Sequence, residues 1–137
     1  MTMKNTEKIL DGKDLIALIF RKNLKVEGVR FLTAEDNPFQ VGIHNRQKGI
    51  HLAPHVHKIE KPLIINSIQE ILYVVEGKIR VLLFSKKGKK ITSKILSPGD
   101  SILLVSGGHG LDFLEKSRIF EVKQGPYPGF DHAKSFL

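Results

Sequence analysis

The stretch EILYVVEGKIRVLLF, residues 70–84, decides the fold class. Ile79, Val81 and Leu83 fall on one face at the two-residue period, with Lys78 and Arg80 on the other, as in a half-buried strand. Glu70 to Val75 is rich in β-branched and aromatic residues, and Glu76-Gly77-Lys78 supplies a turn, so the two runs are predicted to form a hairpin. Glu70, Leu72 and Val74 share one parity, which would set a carboxylate among inward apolar neighbours. Such a group costs several kcal/mol unless a cation offsets it, and a divalent metal is the strongest available.

Working outward, further strands are predicted over residues 29–33, 39–43, 63–65, 92–96, 101–105 and 119–123, separated by Asn-Pro, Pro-Gly-Asp and Gly-Gly punctuation. Lys86-Lys87-Gly88-Lys89-Lys90 reads as a hairpin tip whose lysines discourage edge-to-edge pairing. Many short strands at close spacing favour an all-β sandwich or barrel. Near the start, Leu10, Leu15, Leu18 and Ile19 could line a short N-terminal helix, although residues 15–20 also fit a strand.

A chain of 137 residues with 41% hydrophobic and 26% charged residues fits one globular domain, residues 1–137. The absence of cysteine excludes disulfides, thiolate catalysis and Cys-type zinc sites, so any metal rests on His, Asp and Glu. The longest early apolar run, residues 15–20, is too short and too charged upstream for a signal peptide or membrane span. A cytoplasmic protein without a membrane partner is therefore expected. The net charge of +8 favours anionic partners, among them phosphorylated metabolites, nucleotide sugars, nucleic acid and membrane surfaces, and a small-molecule ligand is expected. No zinc-finger or aromatic RNA-reading motif accompanies it, which disfavours nucleic acid.

GIHLAPHVH, residues 49–57, holds three of the six histidines. On a strand, His55 and His57 would project from one face about 7 Å apart, free to converge on one ion. Pro54 confines such a strand to start there, leaving His51 outside the pair. Gly49 stands six residues before His55, and Glu70 seven before Gly77; the Pro98-Gly99-Asp100 turn and the following strand lead to Gly107-Gly108-His109.

This set resembles the cupin superfamily. Gly49, His55, His57, Glu70 and Gly77 follow its first motif in order, and Gly99, Gly107 and His109 its second, over residues 49–110. The chain departs from the pattern in carrying twelve residues, 58–69, between His57 and Glu70, and in a second motif one residue short with Val105 in place of proline. The resemblance implies a double-stranded β-helix, or jelly-roll barrel, with one divalent metal at His55, His57, Glu70 and His109. Three imidazoles and a carboxylate suit Fe, Mn, Co, Ni, Cu or Zn without choosing among them, and leave open positions for substrate or water.

The expected function is a metal-dependent enzyme acting on a small polar or anionic metabolite such as a sugar or sugar nucleotide. The ending Glu121 to Tyr127 is similar to those of small cupins encoded near surface-polysaccharide genes, which points the same way. A non-catalytic binding or sensing barrel with a structural metal, and a metal-free sugar epimerase using histidine as base, are the alternatives. No unmistakable proton-transfer residue stands out, so the catalytic residues are left unassigned. Tyr73, Asp112 and Tyr127 are weaker candidates, and His44 and His132 are expected at the surface. Ile71, Tyr73, Val75 and Leu82, outward by parity yet apolar, imply a second packed sheet or a homodimer.

Overall fold

The structure, a computed structural model, describes residues 4–137. Its strands in chain order are β1 (Thr6–Asp11), β2 (Asp14–Phe20), β3 (Gly28–Phe31), β4 (Gly42–Asn45), β5 (Glu70–Glu76), β6 (Ile79–Phe84), β7 (Lys90–Leu96), β8 (Ser101–Leu104), β9 (Gly108–Phe113) and β10 (Arg118–Lys123), followed by a short helix α1 (Phe130–Ala133). They divide into two compact units, one built from the described residues up to Leu24 with Ser67–Leu137, the other from Lys25–Asn66. All strand pairs are antiparallel, in keeping with an all-β class.

In the first unit the strands form a five-stranded sheet, β1-β2-β8-β5-β10, and a three-stranded sheet, β7-β6-β9. Ile79, Val81, Leu83 and Leu96 of the smaller sheet join Ile16, Leu72, Val74 and Ile102 of the larger in one buried cluster. Each such side chain contributes roughly 1.5–3 kcal/mol by leaving water. The alternation in β6, buried at Ile79, Val81 and Leu83 and half-buried between, is the pattern expected of a strand with one face on a core.

The hairpin expected over residues 70–84 is not present. Both strands exist, but β5 lies between β8 and β10, and β6 between β7 and β9. Glu76-Gly77-Lys78 is instead a corner that carries the chain from one sheet to the other. Gly77 has φ 88°, and a Cβ there would run into the Ser117 side chain and the Lys116 carbonyl. The Lys78 N–H donates to Ser117 Oγ at 3.0 Å, and the Leu114 N–H to the Lys78 carbonyl at 2.9 Å. The corner is thus held against the β9–β10 connection, and the hydrogen-bonding capacity of β5 and β6 goes to more distant strands. By contrast, β6 and β7 do form a hairpin, with the lysine-rich segment at its tip.

Of the helix and strand readings left open near the N-terminus, the strand is the one formed. β1 and β2 form a hairpin, β2 lies between β1 and β8, and Ile16, Ala17 and Ile19 are fully buried. A strand covered on both faces reads as a continuous apolar run, which is why its period misleads. Asp100, itself buried, clamps this region: it accepts the Lys22 N–H at 2.8 Å, the Ser97 N–H at 3.0 Å and Arg21 Nη1 at 3.3 Å. Arg21 also donates to Glu7 at 2.6 Å and to the Ile95 carbonyl at 2.7 Å.

In the second unit β3 and β4 pair, and Asn45 donates its side-chain amide to the Val26 carbonyl at 2.9 Å. The strand expected at residues 39–43 is shifted to β4. Residues 46–66 contain no strand, so neither the strand expected from Pro54 nor that at 63–65 is formed. Pro54 and Pro62 have no N–H to give to a ladder. No helix among the described residues is long and apolar enough to cross a membrane.

The Gly77 corner can be tested against Gly12, which also has positive φ but nothing within 4 Å of a built Cβ. Gly12→Ala should cost about 1 kcal/mol, the ordinary left-handed penalty. Gly77→Ala should cost more than about 3 kcal/mol because steric overlap is added. Urea midpoints measure both; equal costs would show that the corner is not tight.

Candidate functional site

The pattern in β5 buries Glu70, Leu72 and Val74, and Glu70 is only 7% exposed. On the opposite sheet, His109 of β9 is paired with Leu83 of β6. Directly opposed residues point to the same side of a sheet, so the imidazole shares the inward face of the fully buried Leu83. Gly107 makes the approach to β9 possible: it has φ 71°, and a Cβ there would overlap the Phe84 carbonyl. Glu70 and His109 therefore reach toward each other from facing sheets, and His109 Nε2 meets Glu70 Oε1 at 2.5 Å.

β10 adds two groups that sequence reasoning missed. Its register sets Lys123 opposite Glu70 and Glu121 opposite Leu72, so both share the inward face of β5. The carboxyl groups of Glu121 and Glu70 are hydrogen-bonded, which requires a proton on one of them. Glu70 is the ionised partner. Burial works against its charge, but the hydrogen bonds of His109 and Glu121, with the nearby charges of His109 and Lys123, hold it down at about 2. Glu121 is pushed up by its hydrogen bond to Glu70, by burial and by the Glu70 charge, against the opposing pull of Lys123 and Lys134. The Lys123 ammonium lies 5.8 Å from the centre of the Tyr127 ring, a cation–π geometry. Alternation of Ile119, Glu121 and Lys123 was visible in the sequence; the pairing of β10 with β5 was not.

In the second unit, the rings of His55 and His57 stand 5.1 Å apart, centre to centre, at 74°. His55 Nδ1 lies 2.8 Å from the Ala53 carbonyl. A carbonyl only accepts, so Nδ1 must carry the hydrogen and the neutral ring keeps its Nε2 lone pair free. Metal-binding histidines commonly use their second nitrogen in this way. His51 is exposed in the same strandless segment.

The candidate ligands thus appear as two pairs, each within one unit. Within neither unit, among the described residues, do three His, Asp or Glu side chains gather in a geometry that could hold an ion. Of the other candidates, Tyr73 is 42% exposed on the outer face of β5, and Asp112 pairs with Arg80 at 3.6 Å. His44 and His132 are exposed.

The Glu70 contact has a pH signature in the metal-free protein. Its folded value, about 2, lies below the ordinary value of about 4.5 that it takes when unfolded. Its contribution to stability is therefore fully present above 4.5 and is lost as pH falls toward 2. Urea midpoints measured across that window should fall more steeply for the wild type than for Glu70→Gln; parallel curves would contradict the assignment.

No protein-family model matches the chain, and no curated protein or solved structure matches it.

Proposed function

We propose that this chain is a cupin-like protein that binds one divalent transition metal through His55, His57, Glu70 and His109 and acts on a small polar or anionic metabolite. The observation that carries it is the contact of Glu70 with His109. These residues are distant in sequence and lie on different sheets, yet they are the two that the motif resemblance nominates from its two halves. The order of strands lends further support. With β8-β5-β10 in one sheet and β7-β6-β9 in the other, the chain from β5 to β10 changes sheet at every step except the β6–β7 hairpin, and such crossings recur in jelly-roll barrels.

The chemistry of the donors suits a divalent transition metal. A buried carboxylate oxygen and an imidazole nitrogen stand side by side, and a neutral His55 that donates from Nδ1 to the Ala53 carbonyl would keep its Nε2 lone pair free. When bound, a divalent ion would supply Lewis-acid polarisation of a substrate oxygen. The chain's own residues would do the rest: Glu70 and His109 fix the position of the site at the edge of the core, and Glu121, hydrogen-bonded to Glu70, is a carboxyl group next to it that can hold or accept a proton. That group favours catalysis over a purely structural metal.

The same contact also favours a second function, a metal-free carbohydrate epimerase or isomerase in which Glu70 orients His109 as base. Elemental analysis of protein purified without chelators or a histidine tag separates the two. The metal reading expects close to one equivalent of a transition metal, a rise in melting temperature on adding it, and loss of binding in His57→Ala. Metal-free protein whose melting temperature does not respond to added ions, with activity lost in His109→Ala, would favour the epimerase.

A homodimer is part of this proposal. Tyr73 pairs with Phe120 and Ile71 with Val122 on the outer face of β5 and β10, and Tyr73, Phe120 and Val122 are 42%, 63% and 44% exposed. A contiguous apolar face of this kind is better covered by a second copy than by water. Gel filtration at micromolar concentration should give a dimer, and Phe120→Lys a monomer; a monomeric wild type would reject it.

A further inference from the structure

We propose that residues 124–137 form a strap across the Glu70–His109 end of the first unit, and that it lifts to admit a ligand. β10 is the last strand of the larger sheet and β9 the last of the smaller; at the end of the core marked by Glu70 and His109, the strap passes from one to the other. Its start is tied beside Glu70, because the Gln124 N–H donates to the Gln69 carbonyl at 3.0 Å. Midway, Lys134 lies close enough to Glu121 to act on its charge. At the far side Leu137 has reached the other sheet, where its Cδ1 stands 2.5 Å from the point a Cβ on Gly108 would occupy, and its Cδ2 3.5 Å from the same point on Gly88 in the lysine-rich tip. Gly108 pairs with Phe84 and directly precedes His109. Both anchors are thus one residue or one strand away from the two groups in contact.

Slack and a weak hold make the strap a moving part. Residues 125–137 would span roughly 40 Å if extended, against about 10 Å between packed sheets, so the strap can swing out while β10 stays paired. It is lightly held as well: α1 buries none of its residues and has no side-chain cap, and Phe130 and Phe136 are 71% and 85% exposed. Segments with so few buried contacts open locally at little cost in free energy. The latch is Leu137. Gly108 does not have a left-handed backbone, and what its missing Cβ supplies is room for that leucine. The His109 side chain, 36% exposed, stays within reach of water under the strap, while a ligand approaching the contact has to displace Lys134 and the chain on either side of it. That ligands go to the Glu70–His109 contact rests on the function proposed above; the strap itself needs neither a metal nor the second unit.

The test uses the full chain without added metal and follows acylation of His109 by diethyl pyrocarbonate, read by mass spectrometry, with the exposed His44 of the second unit as internal reference. Gly108→Ala adds a Cβ whose nearest neighbours are the side chains of Leu137 and Phe84, so it dislodges the latch without meeting backbone. Leu137→Asp breaks the same latch from the other side. Both should speed His109 acylation relative to His44 by about fivefold, the factor that about 1 kcal/mol of lost contact gives. Gly110→Ala is the control: it flanks His109 equally, but its Cβ would meet only Leu82, at 3.4 and 3.8 Å, and the rate should stay at the wild-type value. Wild-type rates in both latch variants overturn the strap. A rise in only one of them, or an equal rise in Gly110→Ala, also overturns it, since the effect would then be local to the altered residue. A failure of the metal reading would show in the elemental analysis instead and leave these rates as expected.

Discussion

The first unit depends on the constraint at Gly77. A hairpin at that point would have placed β5 beside β6 and turned one inward face into two separate sheets' worth of unpaired edge. Because the backbone takes a left-handed conformation and packs directly on Ser117 and Lys116, the chain leaves one sheet and enters the other. The apolar faces of β5 and β6 then oppose each other across a core. The long-range pairings of these two strands, β5 with β8 and β10 and β6 with β9, follow from the pairing they are denied with each other.

That change of sheet is also what allows Glu70 and His109 to touch. On a hairpin they would belong to one surface; here each projects from its own sheet into the gap between them, at the end of the core where Leu83 and Leu104 are already buried. The carboxylate is the buried middle member of three polar groups, His109, Glu70 and Glu121, whose outer two are more exposed. Burial alone would make Glu70 hard to ionise; its neighbours reverse that and keep it charged. A charged oxygen held at the edge of an apolar core has the character of a site meant to bind something, whichever of the proposed functions it serves.

Much of this was legible in the residues. Alternation located β5, β6, β7, β8 and β10 closely, the lysine-rich segment marked a tip that is a true hairpin, and parity put Glu70 on the inward side. What the sequence lacked was pairing. Whether Glu76-Gly77-Lys78 reverses a strand or carries it to another sheet depends on Ser117, forty residues away in the chain, and periodicity carries no such information. For the same reason Glu121 and Lys123 stood unnoticed: their importance lies in facing Glu70, which only register reveals. The run at residues 15–20 fitted helix and strand alike because a strand buried on both sides loses its alternation. Residues 46–66 misled, since two prolines remove donors from a segment whose composition otherwise suits a strand.

The position of β2 has a consequence for the order of events during synthesis. Its partner in the sheet interior is β8, so Ile16, Ala17 and Ile19 cannot be covered on both sides until residues 101–104 have been made. Meanwhile the whole of the second unit is synthesised, and the β1–β2 hairpin waits with a bare apolar edge. Closing so long a loop is slow, because entropy is lost before contacts compensate for it. The nascent chain therefore passes through a period in which its most hydrophobic strand is its most available one, and cellular yield will depend on how well that strand is shielded until β8 arrives.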